Sequence, residues 1–328
     1  MKTLLLSMGD VEKTLFMRDV IEAVEDGYRA FQKGNVQQPD IVSLEMPLHH
    51  GETDIKCCYN PSVERISVKI ASGFYDNGKK NHLPTMIGTI LLYDGTSGAL
   101  LCIMDGSLIT GIRTAAAGAV SCRLLARKDA KVAAVLGGGG QARMQAIALC
   151  SLMSMDRIQV FSPYPEELKH YQKEVEAETG VPVFLCRTVE EAMENADIAI
   201  SATPARKYLV EARLVKPGMH IVAVGADMAG KNEWDPEIFR HAKVVNDSKA
   251  QCLDRGETRN AVQAGVIGES DIYGEIGQLL TGEKPGRESP EEITIFDTTG
   301  MGVQDNVTAL RVYEAAKAKG LGKEFVFL

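Results

Sequence analysis

The stretch VLGGGGQARMQA, residues 135–146, places four consecutive glycines directly after an apolar run. Glycine offers no side chain to pack and costs backbone entropy, so bare backbone at this point needs a reason. The apolar segment VAAVL at 132–136 predicts a buried strand, and the segment ARMQAIALCSLM predicts a helix that follows at once. Residues 137–142 fit the pattern G-x-G-x-x-G/A in the strand–turn–helix context of a dinucleotide-binding fold.

Each small residue of this loop has an expected role. Gly137 permits a tight turn, Gly139 lets a pyrophosphate approach the backbone, and Ala142 lets the helix pack closely on the strand. The N-terminus of the helix adds free N–H groups and a partial positive charge. We therefore predict that NAD or NADP binds here, against the alternative of a tight turn that is only structural.

The residue expected to choose between NAD and NADP leaves the choice open. An NAD site usually has an acid about twenty residues after the glycines, where the carboxylate binds the ribose 2′-OH. Here the position is Ser162, in VFSPY, with no acid and no adjacent arginine. Ser162 is read either as a cofactor contact or as a turn residue before Pro163.

The chain beyond residue 130 predicts an α/β fold with a doubly wound parallel sheet of the Rossmann type. Apolar strand candidates alternate there with helical segments such as PEELKHYQKEVEAETG and TVEEAMENA, which is the rhythm of βαβ units. The strand candidates lie at 132–136, 158–161, 181–185, 197–201, 220–225, 243–247 and 293–297.

The first third predicts a separate α+β part with a largely antiparallel sheet. Ile21, Val24, Tyr28 and Phe31 share one face of a helix that Gly34 ends. Turn chemistry such as DGTSG then separates short strand-like pieces: IVSLEM, IKCCY, ISVKIASGF, MIGTILLYD and ALLCIMD. The last segment, DNVTALRVYEAAKAKG, predicts a helix that ends in glycine.

Composition narrows the class of protein. The 328 residues are 45% hydrophobic and 24% charged, as in a globular protein, and the net charge of −8 argues against nucleic-acid or membrane partners. The N-terminus has too short an apolar run for a signal peptide, and no apolar run reaches membrane-spanning length. Seven scattered cysteines without a CxxC pair favour reduced thiols, a cytoplasmic location and no zinc or other metal site.

Several motifs in order resemble the ornithine cyclodeaminase/mu-crystallin family over nearly the whole chain. They are SVKIASGF (67–74), LPTMIGTILLYDGTSGALL (83–101), TGIRTAAAG (110–118), LGGGGQA (136–142), SATP (201–204), VGADMAGKNEWD (224–235) and IFDTTGMGVQD (295–305). The resemblance implies a substrate-binding and dimerisation domain at 1–113, completed by 303–328, and a Rossmann domain at 114–302. It also implies a homodimer, a nicotinamide cofactor and chemistry at the C–N bond of amino acids or imines.

The same resemblance assigns roles to individual residues. Lys69 and Asp227 match active-site positions, and Arg113 matches the clamp for the substrate α-carboxylate; Lys56 and Thr85 are further substrate-binding positions. The implied cofactor-binding residues are Thr114, Gly137, Gly139, Gly140, Gln141, Ala142, Ser162, Ser201, Ala202, Thr203, Val224 and Gly225. Glu233 and Glu257 also fit family positions and are interpreted as structural.

Physical chemistry supports the three central assignments. Arginine grips a carboxylate with a planar, bidentate fork. Lys69 lies in the apolar strand ISVKI, where desolvation lowers the pKa of a lysine and makes it an acid–base group. Asp227 follows VAVG at the end of a strand, where doubly wound sheets bind ligands. The alternatives are a solvated strand lysine, an arginine paired with a nearby acid, and an aspartate in a turn or N-cap.

Two departures from the family bear on the substrate. Many members carry a basic carboxylate-binding residue near position 40, where this chain has Ile41. At position 56 the cyclising deaminases have a glutamate and the alanine-dehydrogenase-like branch has an arginine, so Lys56 resembles the second group in charge. A positive charge there would repel a distal ammonium and attract a carboxylate.

These observations leave three hypotheses. The favoured one is an NAD(P)-dependent dehydrogenase or reductase of a small amino acid, its keto acid or an imine, of the alanine dehydrogenase or ketimine reductase type. The second is an ornithine- or lysine-type cyclodeaminase that releases ammonia and uses NAD catalytically. The third is a cofactor-dependent binding protein of the crystallin type, against which Lys69, Arg113 and Asp227 argue.

Overall fold

The computed structural model describes residues 2–327. The strands, in chain order, are β1 (Lys2–Leu6), β2 (Val42–Met46), β3 (Gly51–Asn60), β4 (Arg65–Phe74), β5 (Met86–Asp94), β6 (Leu100–Asp105), β7 (Val132–Leu136), β8 (Arg157–Phe161), β9 (Val183–Leu185), β10 (Ile198–Ser201), β11 (His220–Ala223), β12 (Ala242–Asn246), β13 (Gly274–Glu275), β14 (Ile293–Asp297) and β15 (Lys323–Val326).

The helices are α1 (Met8–Glu12), α2 (Met17–Gln32), α3 (Asn77–Lys80), α4 (Ser107–Leu125), α5 (Gly140–Leu152), α6 (Pro165–Thr179), α7 (Val189–Met193), α8 (Lys249–Arg255), α9 (Glu257–Gln263), α10 (Ile276–Thr281) and α11 (Gly302–Lys319). Short 3-10 turns cover Pro47–His49, Ala212–Leu214, Pro236–His241 and Glu269–Asp271.

The chain forms two compact units. Unit 1 comprises Met1–Arg113 and Met301–Leu328, and unit 2 comprises Thr114–Gly300. The second boundary therefore falls between residues 300 and 301, where the sequence analysis placed it between 302 and 303. The exact sites of division lie inside α4 and just before α11.

Unit 1 is built on a sheet with the strand order β15-β1-β6-β5-β4-β3-β2. Every pairing in this order is antiparallel except that of β1 with β6, so the predicted largely antiparallel sheet is confirmed. One face of the sheet packs against α11, and α11 packs in turn against α2. The core between them includes Ile90, Leu92, Met104, Ala309 and Val312.

Unit 2 is a parallel sheet with the strand order β13-β12-β14-β11-β10-β7-β8-β9. The chain runs outward from β7 through β8 to β9, then returns to the other side of β7 with β10 and β11. The predicted doubly wound α/β fold is thus confirmed, and its topological switch point lies at the carboxyl end of β7. Ligands of such sheets bind at that point.

Helix α4 differs from one expectation. By length and composition alone it is long and apolar enough to cross a membrane, whereas the sequence analysis expected no such segment. Of its most apolar window, 72% is buried inside the protein, as is usual for a core helix. The alanines at 115–117, for example, are fully buried.

Candidate active site

Two lysines face each other across neighbouring strands of unit 1. Lys56 on β3 is directly opposite Lys69 on β4, and Ile90 on β5 follows in the same register. Residues directly opposed in a sheet share a face, and Ile90 belongs to the core that α11 covers. Both lysines are buried, and Lys69 is only 1% exposed. Like charges opposite each other are destabilising, so this pair requires nearby negative charge.

Asp305 on α11 supplies that charge. The Lys69 ammonium donates to Oδ1 of Asp305 at 3.0 Å and lies 2.9 Å from Oδ2, which accepts no well-directed hydrogen bond from the described residues. Arg113 donates from Nε to the same Oδ1 at 2.9 Å. Burial alone would raise the pKa of the Asp305 carboxyl, but the charges of Lys69 and Arg113 outweigh burial and lower it.

Arg113 is held at two points. Besides its bond to Asp305, it donates from Nη1 to Oε1 of Gln304 at 3.0 Å. Gln304 is itself fixed, because it accepts from the backbone N–H of Met301 at 2.7 Å and donates to the hydroxyl of Tyr28 at 2.7 Å. Within residues 2–327, no hydrogen bond engages Nη2 of Arg113. The guanidinium is therefore oriented and retains donors for a ligand carboxylate.

Lys69 is poised to exchange a proton near neutral pH. Burial and, to a lesser degree, the charge of Arg113 lower the pKa of its ammonium to about 7, although the charge of Asp305 opposes both effects. The ammonium also donates to Oγ1 of Thr110 at 3.3 Å, and that hydroxyl donates onward to the carbonyl of Gly106 at 2.6 Å. Unit 1 therefore contains a buried cluster with net positive charge and one amine that titrates near neutral pH.

The glycine loop of unit 2 opens directly after β7. Gly137 has φ of 120°, and a Cβ at this position would lie 2.8 Å from the carbonyl oxygen of Ala202, so the fold itself requires glycine. Gly139 and Gly140 are different, because an added Cβ at either position would meet no atom of the described chain within 4 Å apart from the adjoining backbone. These two glycines leave open backbone on which a pyrophosphate fits.

The start of α5 has the donors that such a group needs. Gly139 is the N-cap, and no side chain caps the helix. Nε2 of Gln141 is buried without a hydrogen-bond partner among the described residues, while Ala142 is fully buried against the sheet. An uncapped helix N-terminus with an unpaired buried amide suits a bound diphosphate.

Glu233 fastens the segments that follow β10 and β11. Its carboxylate accepts from the Ser201 hydroxyl at 2.6 Å, the Thr203 N–H at 2.6 Å and the Gly225 N–H at 2.9 Å. Burial raises the pKa of Glu233, and these hydrogen bonds oppose the rise. Its own N–H donates to Oε1 of Glu257 at 2.5 Å, so the two buried acids are linked.

Three other predicted cofactor residues make hydrogen bonds within unit 2 that involve the backbone. Val224 donates its N–H to the carbonyl of Ser201 at 3.1 Å, and the carbonyl of Thr114 accepts from Gln145 on α5 at 3.0 Å. The hydroxyl of Ser162 accepts from the N–H of Tyr164 at 3.2 Å. Ser162 therefore stabilises the turn after β8, as one of its two interpretations proposed.

Two predicted residues lie apart from the clusters of their own units. Thr85 is exposed just before β5, and its carbonyl accepts from Phe74 at 2.8 Å, well along the strands from Lys69. Asp227 lies in the turn after β11, where its side chain is 55% exposed and pairs with Lys231 at 2.5 Å. Asp227 follows the carboxyl end of β11, as predicted. The carboxylate that pairs with Lys69, however, belongs to Asp305.

Sequence reasoning missed Asp305, Gln304 and Thr110 as members of the site. Asp305 and Gln304 belong to the quoted motif IFDTTGMGVQD, and Thr110 opens the motif TGIRTAAAG. The available signal was a run of polar residues, 304–306, in the first turn of a helix whose neighbours are apolar. These three polar residues are buried in the structure. Polar side chains are seldom buried together, so their burial suggests a functional site.

The doubly wound fold and the glycine loop after β7 indicate a dinucleotide-binding protein, and the comparisons agree. The sequence profile of the ornithine cyclodeaminase/mu-crystallin family matches residues 1–320, and the chain belongs to this family. An alanine dehydrogenase of Archaeoglobus fulgidus is 35% identical over 327 residues, which covers 100% of this chain and 99% of the relative.

Two solved structures are also very similar. The Δ1-pyrroline-2-carboxylate reductase of Thermococcus litoralis, in complex with NADH and L-proline, has a TM-score of 0.95 and 35% identity, covering 98% of this chain and 99% of that one. An archaeal alanine dehydrogenase dimer with bound NAD has a TM-score of 0.94 and 35% identity, covering 100% of both chains. The family recognised from the sequence is confirmed.

Proposed function

We propose that the protein is an NAD(P)-dependent oxidoreductase that acts on the C–N bond of a small amino acid or of its keto acid or imine. The enzyme class and the cofactor predicted from the sequence are confirmed at this level, because full-length relatives are named as such dehydrogenases and reductases and similar structures hold NAD or NADH. The chain's own residues supply the more detailed argument.

The observation that carries the proposal is the sharing of one buried carboxylate by two cations. Lys69 and Arg113 both bind Asp305, and all three side chains are at most 5% exposed. When Lys69 is protonated, one positive charge is left uncompensated in a medium of low dielectric, to which Lys56 adds its own field. A substrate carboxylate on the free edge of Arg113 neutralises that charge and fixes the substrate in place.

The proton chemistry is assigned to Lys69. With a pKa near 7, it can give a proton in the reductive direction, either to the hydroxyl that leaves the carbinolamine or to the imine nitrogen. In the oxidative direction it takes a proton back. Asp227, at the carboxyl end of β11, is proposed as a second proton-handling group. When bound by Gly139, Gly140 and Gln141, the nicotinamide coenzyme supplies or accepts the hydride.

A spectrophotometric panel tests the proposal. Keto acids with ammonia, cyclic imines and diamino acids are each mixed with reduced or oxidised coenzyme, and coenzyme absorbance is followed with ammonia release. We expect the absorbance of the reduced coenzyme to fall with a keto acid or an imine. Ammonia released from a diamino acid at constant absorbance would instead establish a cyclodeaminase, and tight binding without any turnover would establish a binding protein.

Lys56 is proposed to decide between a reductase and a cyclodeaminase. We expect Lys56→Glu to lower kcat/KM for keto acids by about tenfold or more and to raise activity on diamino acids, because reversing this charge repels a carboxylate and attracts a distal ammonium. Lys56→Met is the matched variant, since it removes the positive charge without adding a negative one. Steady-state kinetics on both substrate classes would contradict the assignment if Lys56→Glu kept the wild-type preference.

We also propose a homodimer formed through the outer face of the unit 1 sheet. The face that points away from α11 carries exposed apolar side chains at Val42, Leu44, Ile70 and Ile87, each between 39% and 54% exposed. Val42 and Ile70 both oppose Ile55, which places them on one face. Contiguous apolar surface of this kind typically marks a protein interface, and the similar archaeal alanine dehydrogenase is a dimer.

A cytoplasmic location is part of the same proposal. All seven cysteines are free thiols, and burial raises the pKa of Cys58, Cys102 and Cys122 to about 12, so these three remain protonated and unreactive. In residues 2–327, no cluster of three or more His, Cys, Asp or Glu side chains is arranged to hold a metal ion. The proposed chemistry uses only the coenzyme and the side chains described above.

A further inference from the structure

We propose that Glu167 binds the adenosine ribose hydroxyls of the coenzyme and makes the protein select NAD(H) over NADP(H). This inference rests on the proposed function, because it concerns the same coenzyme site. It assigns the acid that the end of β8 lacks to a different element, the first turn of α6.

The end of β8 is occupied by turn chemistry. The Ser162 hydroxyl accepts from the Tyr164 N–H, and Pro165 then begins α6. No acid lies between the strand and the helix, so the usual position of the ribose-binding residue carries no carboxylate. The first turn of α6 brings two acids instead, Glu166 and Glu167.

Of these two acids, Glu167 lies against the glycine loop. A Cβ added at Gly138 would lie 3.1 Å from Oε2 of Glu167, 3.2 Å from its Cβ and 3.3 Å from Cδ2 of Leu168. Gly138 is not among the residues with positive φ, so crowding by these two side chains, and not backbone conformation, accounts for glycine here. Leu168 is buried and anchors the turn that presents the carboxylate.

This position is on the side of the loop where the adenosine half of a dinucleotide lies. In folds of this type the pyrophosphate rests on the helix that follows β7, and the acid that follows the next strand reaches the ribose. Glu167 follows β8, the neighbour of β7, and touches the second residue of the loop. Its carboxylate can therefore accept hydrogen bonds from a ribose placed beside Gly138.

The carboxylate oxygens of Glu167 are available to accept hydrogen bonds from a ligand. Glu167 is exposed, and the structure records no hydrogen bond or ion pair from its side chain to any residue in the range 2–327. Ribose hydroxyls would be its partners, whereas the 2′-phosphate of NADP(H) would bring like charge against it. The nearby cation Arg143 on α5 is already paired with Glu174, which His170 also contacts, so it is not offered to a phosphate.

Fluorescence titrations of NADH and NADPH test the inference without requiring turnover. We expect the wild-type protein to bind NADH at least about tenfold more tightly than NADPH. Glu167→Gln should weaken NADH binding by about 10- to 100-fold, the effect of losing hydrogen bonds to a charged group, and should bring the two affinities close together. Glu166→Gln, one residue away in the same exposed turn, is the matched control and should keep the wild-type ratio.

The inference is overturned if the wild-type protein binds NADPH as tightly as NADH, if neither coenzyme binds, if Glu167→Gln keeps the wild-type ratio, or if Glu166→Gln changes the ratio equally. Because Glu167 is exposed, an unchanged melting temperature shows that the variant is folded. The two proposals also fail separately. Turnover with equal use of both coenzymes would remove the role of Glu167 and leave the oxidoreductase proposal standing. Selective NADH binding without turnover of any amino or keto acid would remove the oxidoreductase proposal and leave the role of Glu167 standing.

Discussion

The variant Lys69→Met is expected to lose about 10²- to 10⁴-fold in kcat, the usual contribution of a general acid–base group. The loss should not extend to the coenzyme, because the residues proposed to bind it belong to unit 2 and Lys69 belongs to unit 1. The measurements are steady-state kinetics in both directions and a fluorescence titration with reduced coenzyme. Wild-type turnover in this variant would remove Lys69 from the mechanism.

The same variant should be at least as stable as the wild-type protein. Burial lowers the pKa of Lys69 from 10.5 to about 7, so the unfolded chain binds the proton more tightly than the folded one. The resulting cost is fully present below pH 7 and shrinks as pH rises towards 10.5. Methionine removes this cost while Arg113 still pairs with Asp305, so we expect the free energy of unfolding at neutral pH to rise by about 1–4 kcal/mol.

Lys79→Met provides the control for both effects. Lys79 is exposed on α3 in the same unit, so its replacement should alter neither kcat nor the free energy of unfolding appreciably. A loss of stability in Lys69→Met but not in Lys79→Met would show that the ion pair with Asp305 outweighs the burial of the ammonium.

Asp305→Asn is expected to have the largest effect on stability. Asparagine keeps the shape of the side chain but leaves Lys69 and Arg113 buried without their shared counter-charge. Removing one partner of a buried ion pair typically costs about 3–5 kcal/mol. Chemical denaturation should show this loss, and Glu314→Gln, an exposed change on the same helix, should show almost none.

The pH dependence of Asp305→Asn distinguishes a positioning role from a purely structural one. The groups that face Lys69 are Asp305 on α11, Arg113 on α4 and Lys56 on β3, and only Asp305 raises the pKa of Lys69. Without that charge the ammonium should lose its proton at lower pH. In the reductive direction, the fall of kcat/KM on the alkaline side should therefore move to lower pH by about 1–3 units.

A bound keto acid supplies a second readout for the same variant. Its carboxylate replaces part of the missing negative charge, so the substrate should raise the melting temperature of Asp305→Asn by more than it raises that of the wild-type protein. An unshifted alkaline limb together with an ordinary ligand-induced rise would reduce Asp305 to a packing residue.

The sequence predicted much of unit 2 because its strands are continuous apolar runs. The segment VAAVL corresponds to β7 at Val132–Leu136, and the glycines after it occupy the strand–turn–helix context that was expected. Parallel strands buried on both faces are visible in this way without any knowledge of their partners. The order of the strands was not predicted, because the hand of a βαβ connection does not fix which strands become neighbours.

Unit 1 was harder to predict at its edge. Strand β1 was read only as an apolar run too short for a signal peptide, and β15 was not predicted at all. Lys2 pairs with Val326 and Leu5 with Lys323, so the two ends of the chain form one antiparallel ladder. A pairing at such separation leaves no local pattern, because each strand alone is too short to show an alternation.

The site itself was predictable in its cations and not in its anion. The family resemblance named Lys69 and Arg113, and the ability of arginine to grip a carboxylate supported the second assignment. Asp305 lies far from both along the chain, and only the packing of α11 on β4 brings the carboxylate to the lysine. Similarly, Glu167 crowds Gly138 only because α6 packs near the glycine loop, which is separated from α6 along the chain by α5 and β8.

The bonds of Glu233 bear on how the coenzyme is received. A single acid side chain gathers donors from the ends of two adjacent strands, so those segments are already immobilised before any ligand arrives. Binding of the coenzyme then does not have to order these segments, so the conformational entropy lost on binding comes mainly from the coenzyme itself. The geometry of these two strand ends is therefore set during folding, by the hydrogen bonds of the Glu233 carboxylate.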